Sequence, residues 1–231
     1  VAEATARFGV DDDRGETLVE LARAAVGAEI SSGTSVATVV EAAQVHIADS
    51  LAVFDTDWLT GCHRMIDIGS GLGFPGLAIA AVRPEVEVTL LDGSRKKSQA
   101  AARIARRCGI ANVTCIWGRA EEVAETGSPH RGRYDVVTAR ALAPLAVLAE
   151  YAAPLLREDG SLIAWKASPD EAEVRAGRAA AELVGLLLGE PHGVEPFAGA
   201  GGRTLWRARK VRPTPEAFPR RAGVAARSPL A

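Results

Sequence analysis

The sequence predicts an open α/β fold: a largely parallel sheet with helices on both faces and a ligand crevice at the carboxyl ends of its strands. Three observations predict it. From Met65 onward, short apolar runs alternate with amphipathic helical stretches in units of about 30 residues, the size of a βαβ unit. Residues 64–76, RMIDIGSGLGFPG, read as a buried strand, a glycine loop and the start of an apolar helix. The chain is 48% hydrophobic, enough to fill a core, yet no apolar run approaches the ~18 residues of a membrane span.

Taken in order, Leu18, Leu21, Ala22, Ala25 and Val26 recur at helical spacing and predict a helix over 14–30. A second helix follows over 36–54 through Val39, Val40, Ala43, Ile47 and Leu51, with a polar loop at 31–35 between the two. These helices are expected to form a cap over residues 1–60, followed by a catalytic domain over 61–211 and a basic tail over 212–231. Strands are expected at 64–68, 86–92, 112–117, 134–138 and 161–166. Helices are expected at 75–82, 94–108, 144–156 and 170–188. Arg83-Pro84 stops the first of these, and Gly109 ends the second. Two closing strands, 194–197 and 204–210, have no helix between them.

The glycine loop is the centre of the chemistry. Gly69, Gly71 and Gly73 alternate with small residues, so the backbone can turn sharply and approach a ligand. Gly71-x-Gly73-x-x-Gly76 also satisfies the dinucleotide pattern, which turns in unrelated folds match too. Asp67, at the end of the first strand, is expected beside the loop, where its charge opposes a diphosphate and tolerates a cation. Asp92 ends the second strand, 21 positions after Gly71, where an acid accepts from ribose hydroxyls. Ala120 and Glu121 follow the third strand, where an adenine edge is read by backbone and a carboxylate. These residues support a nucleoside ligand without choosing among a methyl donor, a nicotinamide or a flavin, and a purely structural glycine turn stays open.

Composition narrows the setting. Cys62, Cys108 and Cys115 lack C-x-x-C spacing and are odd in number, which predicts reduced thiols and neither a zinc site nor a disulfide framework. No basic-then-apolar leader begins the sequence, so a cytoplasmic protein without membrane contact is expected. Residues 1–60 carry three basic and eleven acidic side chains, whereas 203–231 carry eight basic and one acidic. A basic end on a near-neutral chain suits a phosphate-rich partner; the bland alternative is a solvated tail.

Asp67-x-Gly69-x-Gly71-x-Gly73 resembles motif I of the class I S-adenosylmethionine methyltransferases, whose Rossmann-like seven-stranded sheet also ends in a strand pair. From about residue 45 onward the chain resembles one family among them. His46-Ile47-Ala48-Asp49-Ser50-Leu51, Asp67 to Gly76, Leu90-Leu91-Asp92 with Lys96-Lys97, and Arg119-Ala120-Glu121-Glu122 carry the likeness. So do Asp135 to Ala141, Ala164-Trp165-Lys166 and the basic C-terminal run. Together they are similar to the rRNA small subunit methyltransferase G family. The resemblance implies methylation of a guanine N7 in the decoding-region (530) loop of 16S rRNA, with S-adenosylmethionine as cofactor, the small ribosomal subunit as partner, no metal, and a monomer. It implies cofactor contacts at Gly69, Gly71, Gly73, Phe74, Asp92, Ala120, Glu121 and Arg140. It makes Lys96, Arg140 and Lys166 the candidates to meet RNA phosphate or the target base. His46 and Asp49, at i and i+3, are expected to share a helix face. A small-molecule methyltransferase and a non-catalytic cofactor-binding relative are the competing readings. Upstream of His46 the sequence departs from the family: Val45 stands where members carry arginine.

Overall fold

The structure, a computed structural model, describes residues 6–26 and 36–231. The expected loop at 31–35 and the end of the first helix, 27–30, lie outside the described residues. Helix α1 (Asp12–Val26) is followed by α2 (Val39–Ala42), whose N-cap Thr38 accepts from the Glu41 N–H. The same helix continues as a π-helical turn, Ala43–Ala48, into α3 (Asp49–Leu51). Then follow β1 (Arg64–Ile68), α4 (Gly76–Val82), β2 (Glu87–Asp92), α5 (Arg95–Arg107), β3 (Val113–Trp117) and α6 (Ala120–Val123). The second half holds β4 (Tyr134–Arg140), α7 (Leu145–Ala152), β5 (Leu156–Lys166), α8 (Glu171–Leu183), β6 (Leu186–Leu188), β7 (His192–Val194), β8 (Arg203–Lys210) and α9 (Val224–Arg227).

The sheet order is β3-β2-β1-β4-β5-β8-β6, with β7 also paired to β8. Strands β1 to β5 are parallel and β8 runs antiparallel between β5 and the outer pair. The expected seven strands are thus eight. The outermost one is broken: Leu188 pairs with Ala208 but His192 with Leu205, so the register slips across Gly189-Glu190-Pro191. Proline has no N–H to give a ladder, and the strand resumes only after it. Two helices also end earlier than expected. Helix α7 stops at Ala152, ahead of Pro154, and β5 begins at Leu156. Helix α8 stops at Leu183, because Gly185 takes φ +89 and packs against the Arg212 carbonyl.

Alternation along the strands builds a core on each face. Met65, Val88, Leu90, Val136 and Ile163 face α1, the π turn, α4 and α5. Ile66, Ile68, Val137, Ala139, Leu162 and Ala164 face α7 and α8. Since β1 to β5 are parallel, Ile68, Asp92, Trp117, Arg140 and Lys166 all end at one edge of the sheet. The order reverses direction between β2-β1 and β1-β4, and this switch point opens the crevice.

A buried carboxylate fixes the switch point. Asp67 is fully buried, accepting from the Gly76 N–H at 3.0 Å and from the Thr138 hydroxyl at 3.0 Å. It ties β1 to β4 and to the head of α4. It sits beside the loop as expected, but buried: its oxygens are taken by Gly76 and Thr138 and do not face the crevice. Burial pushes its carboxyl up to about 7, against the hydrogen bonds from Gly76 and Thr138, which pull it down.

The C-terminal run is packed, not free. Glu150 of α7 is wholly buried and takes the Arg220 guanidinium at 2.6 Å, with further bonds from Arg220 Nε and N–H. Ala225 is buried, and Phe218 and Leu230 pack on the second core.

Two outcomes follow from these buried acids. Glu150→Ala leaves Arg220 without its partner and is expected to cost about 3 kcal/mol in urea unfolding, with the chain after Lys210 becoming protease-sensitive. For Asp67, the folded value of about 7 lies above the ordinary aspartate value of 3.8. Its contribution to stability is therefore complete below about pH 4 and is lost as pH rises through about 7. Urea unfolding at pH 5 and pH 8 is expected to show a larger loss for wild type than for Asp67→Asn.

Candidate active site

The loop after β1 carries three left-handed glycines: Gly69 at φ +66, Gly71 at +59 and Gly73 at +104. Space is limiting as well as φ. A Cβ at Gly69 would lie 2.5 Å from Leu142, and one at Gly73 2.4 Å from Leu77. The loop is held from the neighbouring strand: Asp92 accepts from the Gly71 N–H at 2.9 Å and from the Ser94 N–H at 2.7 Å. Beside Asp92 lies a groove lined by Gly93, Trp117, Gly118, Arg119 and Glu122. Trp117 is 59% exposed there, and the Arg95 guanidinium stands over its ring at 5.4 Å.

Glu121 does not face this groove. It is buried, and its carboxylate accepts from the Gly223 N–H of the C-terminal run at 2.7 Å. Expected at an adenine edge, it instead fastens α6 to the tail; Glu122, one residue on, lines the groove. Neither Ala120 nor Glu121 lines either concavity.

The larger cleft, about 700 Å³, lies over the carboxyl ends of β1, β4 and β5. Its walls are the glycine loop through Phe74, the cap residues His46 and Asp49, the 140–144 loop after β4, and Trp165 to Ala167. Arg203 and Thr204 close it from β8, and Lys97 reaches it from α5. Among the described residues, four cations (Lys97, Arg140, Lys166, Arg203) and one carboxylate (Asp49) line it.

Arg140 is the hub of this wall. One guanidinium nitrogen donates to the Val45 carbonyl at 2.9 Å and to Asp49 at 2.9 Å; the other stands 3.3 Å from His46 Nδ1. Asp49 also meets Arg203 at 3.2 Å, and its carbonyl accepts from Trp165 Nε1 at 2.8 Å. His46 and Asp49 share a face as expected: both line the cleft and both meet the Arg140 guanidinium. The π turn widens the helix, with Asp49 N–H donating to Gln44 O. The His46 and Phe74 rings stack at 4.8 Å between centroids, 10° from parallel. Burial first, and the Arg140 charge second, bring His46 down to about 4, so it is neutral at physiological pH.

The other expected cations divide. Lys166 lines the cleft but is paired with Glu173 at 2.6 Å and donates to the Ala143 carbonyl. Lys96 is exposed and does not line the cleft; Lys97 does. Asp49 is marked in the sequence only by its spacing from His46, and Arg203 by nothing local, because the two meet across the fold.

These residues fit a nucleoside cofactor and disfavour a dinucleotide. In dinucleotide folds the diphosphate sits on the N–H groups that open the helix after β1. Here the Gly76 N–H at that position is already bound by the Asp67 carboxylate. What remains for a ligand is the glycine loop, Asp92 at a strand end, and a groove with an exposed indole.

A family model described as rRNA small subunit methyltransferase G matches residues 28–189. A relative of that name from Symbiobacterium thermophilum is 45% identical over 172 residues, covering 72% of this chain and 70% of its own. One from Deinococcus radiodurans is 44% identical over 188 residues, covering 80% and 73%. Among solved structures, the O-methyltransferase TomG from Streptomyces achromogenes, in complex with SAM, superposes with TM-score 0.59 at 18% identity, covering 88% of this chain and 92% of that one. Cofactor-bound Rv0187 from MTB gives 0.56 at 20% identity over the same shares. At that identity these structures speak for the class I methyltransferase fold alone. The family match spans most of the sequence, glycine loop and arginine hub included, and the chain belongs to the rRNA small subunit methyltransferase G family.

Proposed function

We propose that this chain methylates N7 of a guanine in the 530 loop of 16S rRNA, acting on the small ribosomal subunit. One observation carries the reading: among the described residues around the larger cleft, no carboxylate or imidazole is free to remove a proton. Asp67 is bound by Gly76 and Thr138, Asp92 by Gly71 and Ser94, and Asp49 by two arginines. His46 has its acceptor nitrogen against a guanidinium. Hydroxyl oxygens, exocyclic amines and ring N–H groups must lose a proton on methylation; guanine N7 already has a free lone pair. S-adenosylmethionine, the cofactor, supplies when bound an electrophilic methyl on a sulfonium, and its charge passes to the methylated base with no proton released.

The chain's own work is then orientation and exclusion of water. The glycine loop and Asp92 would hold the cofactor's methionyl and ribose parts, and the groove by Trp117 its base. Because the Glu121 side chain is engaged with Gly223, only backbone at Ala120-Glu121 is available to the adenine. Arg140 keeps the cap, through Val45 and Asp49, closed on the sheet. A cleft with four cations and one carboxylate favours a polyanionic substrate over a small neutral one.

The deciding assay is transfer from labelled S-adenosylmethionine to small subunits lacking native methylation, with nucleoside analysis. Labelled N7-methylguanosine in one loop is the expected product; transfer to small molecules alone would overturn the reading. Arg140→Lys is expected to lower transfer at least about tenfold, since an ammonium cannot bond Val45, Asp49 and His46 together. Lys97→Ala is expected to weaken RNA binding and flatten its log K against log salt plot by about one unit. Lys96→Ala should have the smaller effect.

A further inference from the structure

Among the described residues, three buried polar atoms of residues lining the cleft have no hydrogen-bond partner: His46 Nε2, Ser70 Oγ and Arg203 Nε. His46 is 8% exposed, lines the cleft, and its Nε2 is buried without a hydrogen-bond partner. A buried polar nitrogen with no partner is costly unless something else satisfies it. Its tautomer follows from its neighbours. Nδ1 stands 3.3 Å from Arg140 Nη2, and a guanidinium only donates. Nδ1 is therefore the acceptor, and the ring proton is on Nε2. The ring is further fixed by its stack on Phe74 and by the Ser50 hydroxyl, which donates to the His46 carbonyl one turn along the helix.

Resting on the reading above, we propose that His46 positions the target base, its Nε2–H donating to guanine O6 while N7 beside it stays free to react. The Hoogsteen edge of guanine presents two acceptors, N7 and O6. A cation forked across both would block the nucleophile; a single donor to O6 orients the base and leaves the N7 lone pair unshared. Adenine presents an amino donor where guanine has O6, so an N–H at this place rejects it. Neutrality matters too, because methylated guanine carries a positive charge that a protonated imidazole would oppose. Burial keeps His46 in the form that suits this. His46 lies within the π turn and Asp49 directly follows it, and both line the cleft.

The test uses full-length protein and small subunits rebuilt with rRNA carrying guanine, inosine or 2-aminopurine at the methylated position. Inosine keeps N7 and O6; 2-aminopurine keeps N7 and lacks O6. Wild type is expected to methylate guanine and inosine alike and 2-aminopurine on the order of ten- to a hundredfold more slowly. His46→Phe retains an aromatic face against Phe74 without the donor. It should lose the same factor on guanine, lose nothing further on 2-aminopurine, and keep the wild-type KM for S-adenosylmethionine. His46→Gln should recover part of the loss. Equal loss on all three bases, a raised cofactor KM, or a wild type indifferent to O6 would overturn the assignment, and the last needs no variant. Absence of N7-methylguanosine from wild type on guanine sinks the parent reading first, visibly before any variant is compared.

Discussion

The walls of the cleft depend on the Asp49 carboxylate. It accepts from Arg140 at the end of β4 and meets Arg203 at the start of β8, while its carbonyl takes the indole N–H of Trp165 at the end of β5. One helical turn of the cap is thereby bound to three strands far away in sequence. A carboxylate whose side chain is only 6% exposed gains little net stability from such pairs, since desolvation offsets most of the attraction. What it gains is position. With Asp49 fixed, Arg140 has one geometry, and its remaining N–H groups set Val45 and the His46 ring. Each side chain facing the ligand is thus held by another that does not, which keeps a site tight enough for chemistry.

The same economy runs through the other acids. Asp67 and Asp92 reach backbone N–H groups nine and 21 positions away, at the head of the helix after the glycine loop and in the loop itself. The Asp67 carboxyl is wholly inside the protein, whereas Asp92 both braces the loop and stands at the strand end beside the groove. Facing the cleft are backbone, aromatic faces, cations, one neutral imidazole and the Asp49 carboxylate, which two arginines hold. Such a surface can align reactants and accept a change of charge, but it cannot shuttle protons. That limitation agrees with a nucleophile that needs no deprotonation.

Much of this could be read in the sequence, and what could not shares a cause. The strands, the glycine loop and Asp92 are marked by local signals: period-two burial, φ requirements, an acid at a strand end. The π turn is invisible because residues 43–48 have ordinary helical spacing; its widening is visible only in the Asp49-to-Gln44 bond. Lys96 and Lys97 are adjacent, and helix phase alone sends one outward and the other to the cleft. Arg203 and Glu121 acquire their roles from partners 154 and 102 positions away, and no spacing rule reaches so far. The two helices that end early differ: Pro154 and Gly185 are local stop signals, set among alanine- and leucine-rich runs whose helical spacing continues past them.

The basic C-terminal stretch shows how composition misleads about electrostatics. Of its eight cations, Arg203 serves Asp49, Arg220 serves Glu150, and Lys210 points its ammonium at the carbonyls of Ala153 and Leu156. Arg209, Arg212, Arg221 and Arg227 remain exposed, so only about half of the apparent charge is offered to solvent. The stretch is as much structure as electrostatic surface, and removing residues 212–231 would strip Phe218, Ala225 and Leu230 from the core along with the charges. It also reaches the site. Glu121 points inward to the Gly223 N–H, whereas Glu122 points outward into the groove beside Asp92. Both belong to one turn of α6, so the docked tail fixes the floor against which a nucleoside would lie, although no tail residue lines that groove.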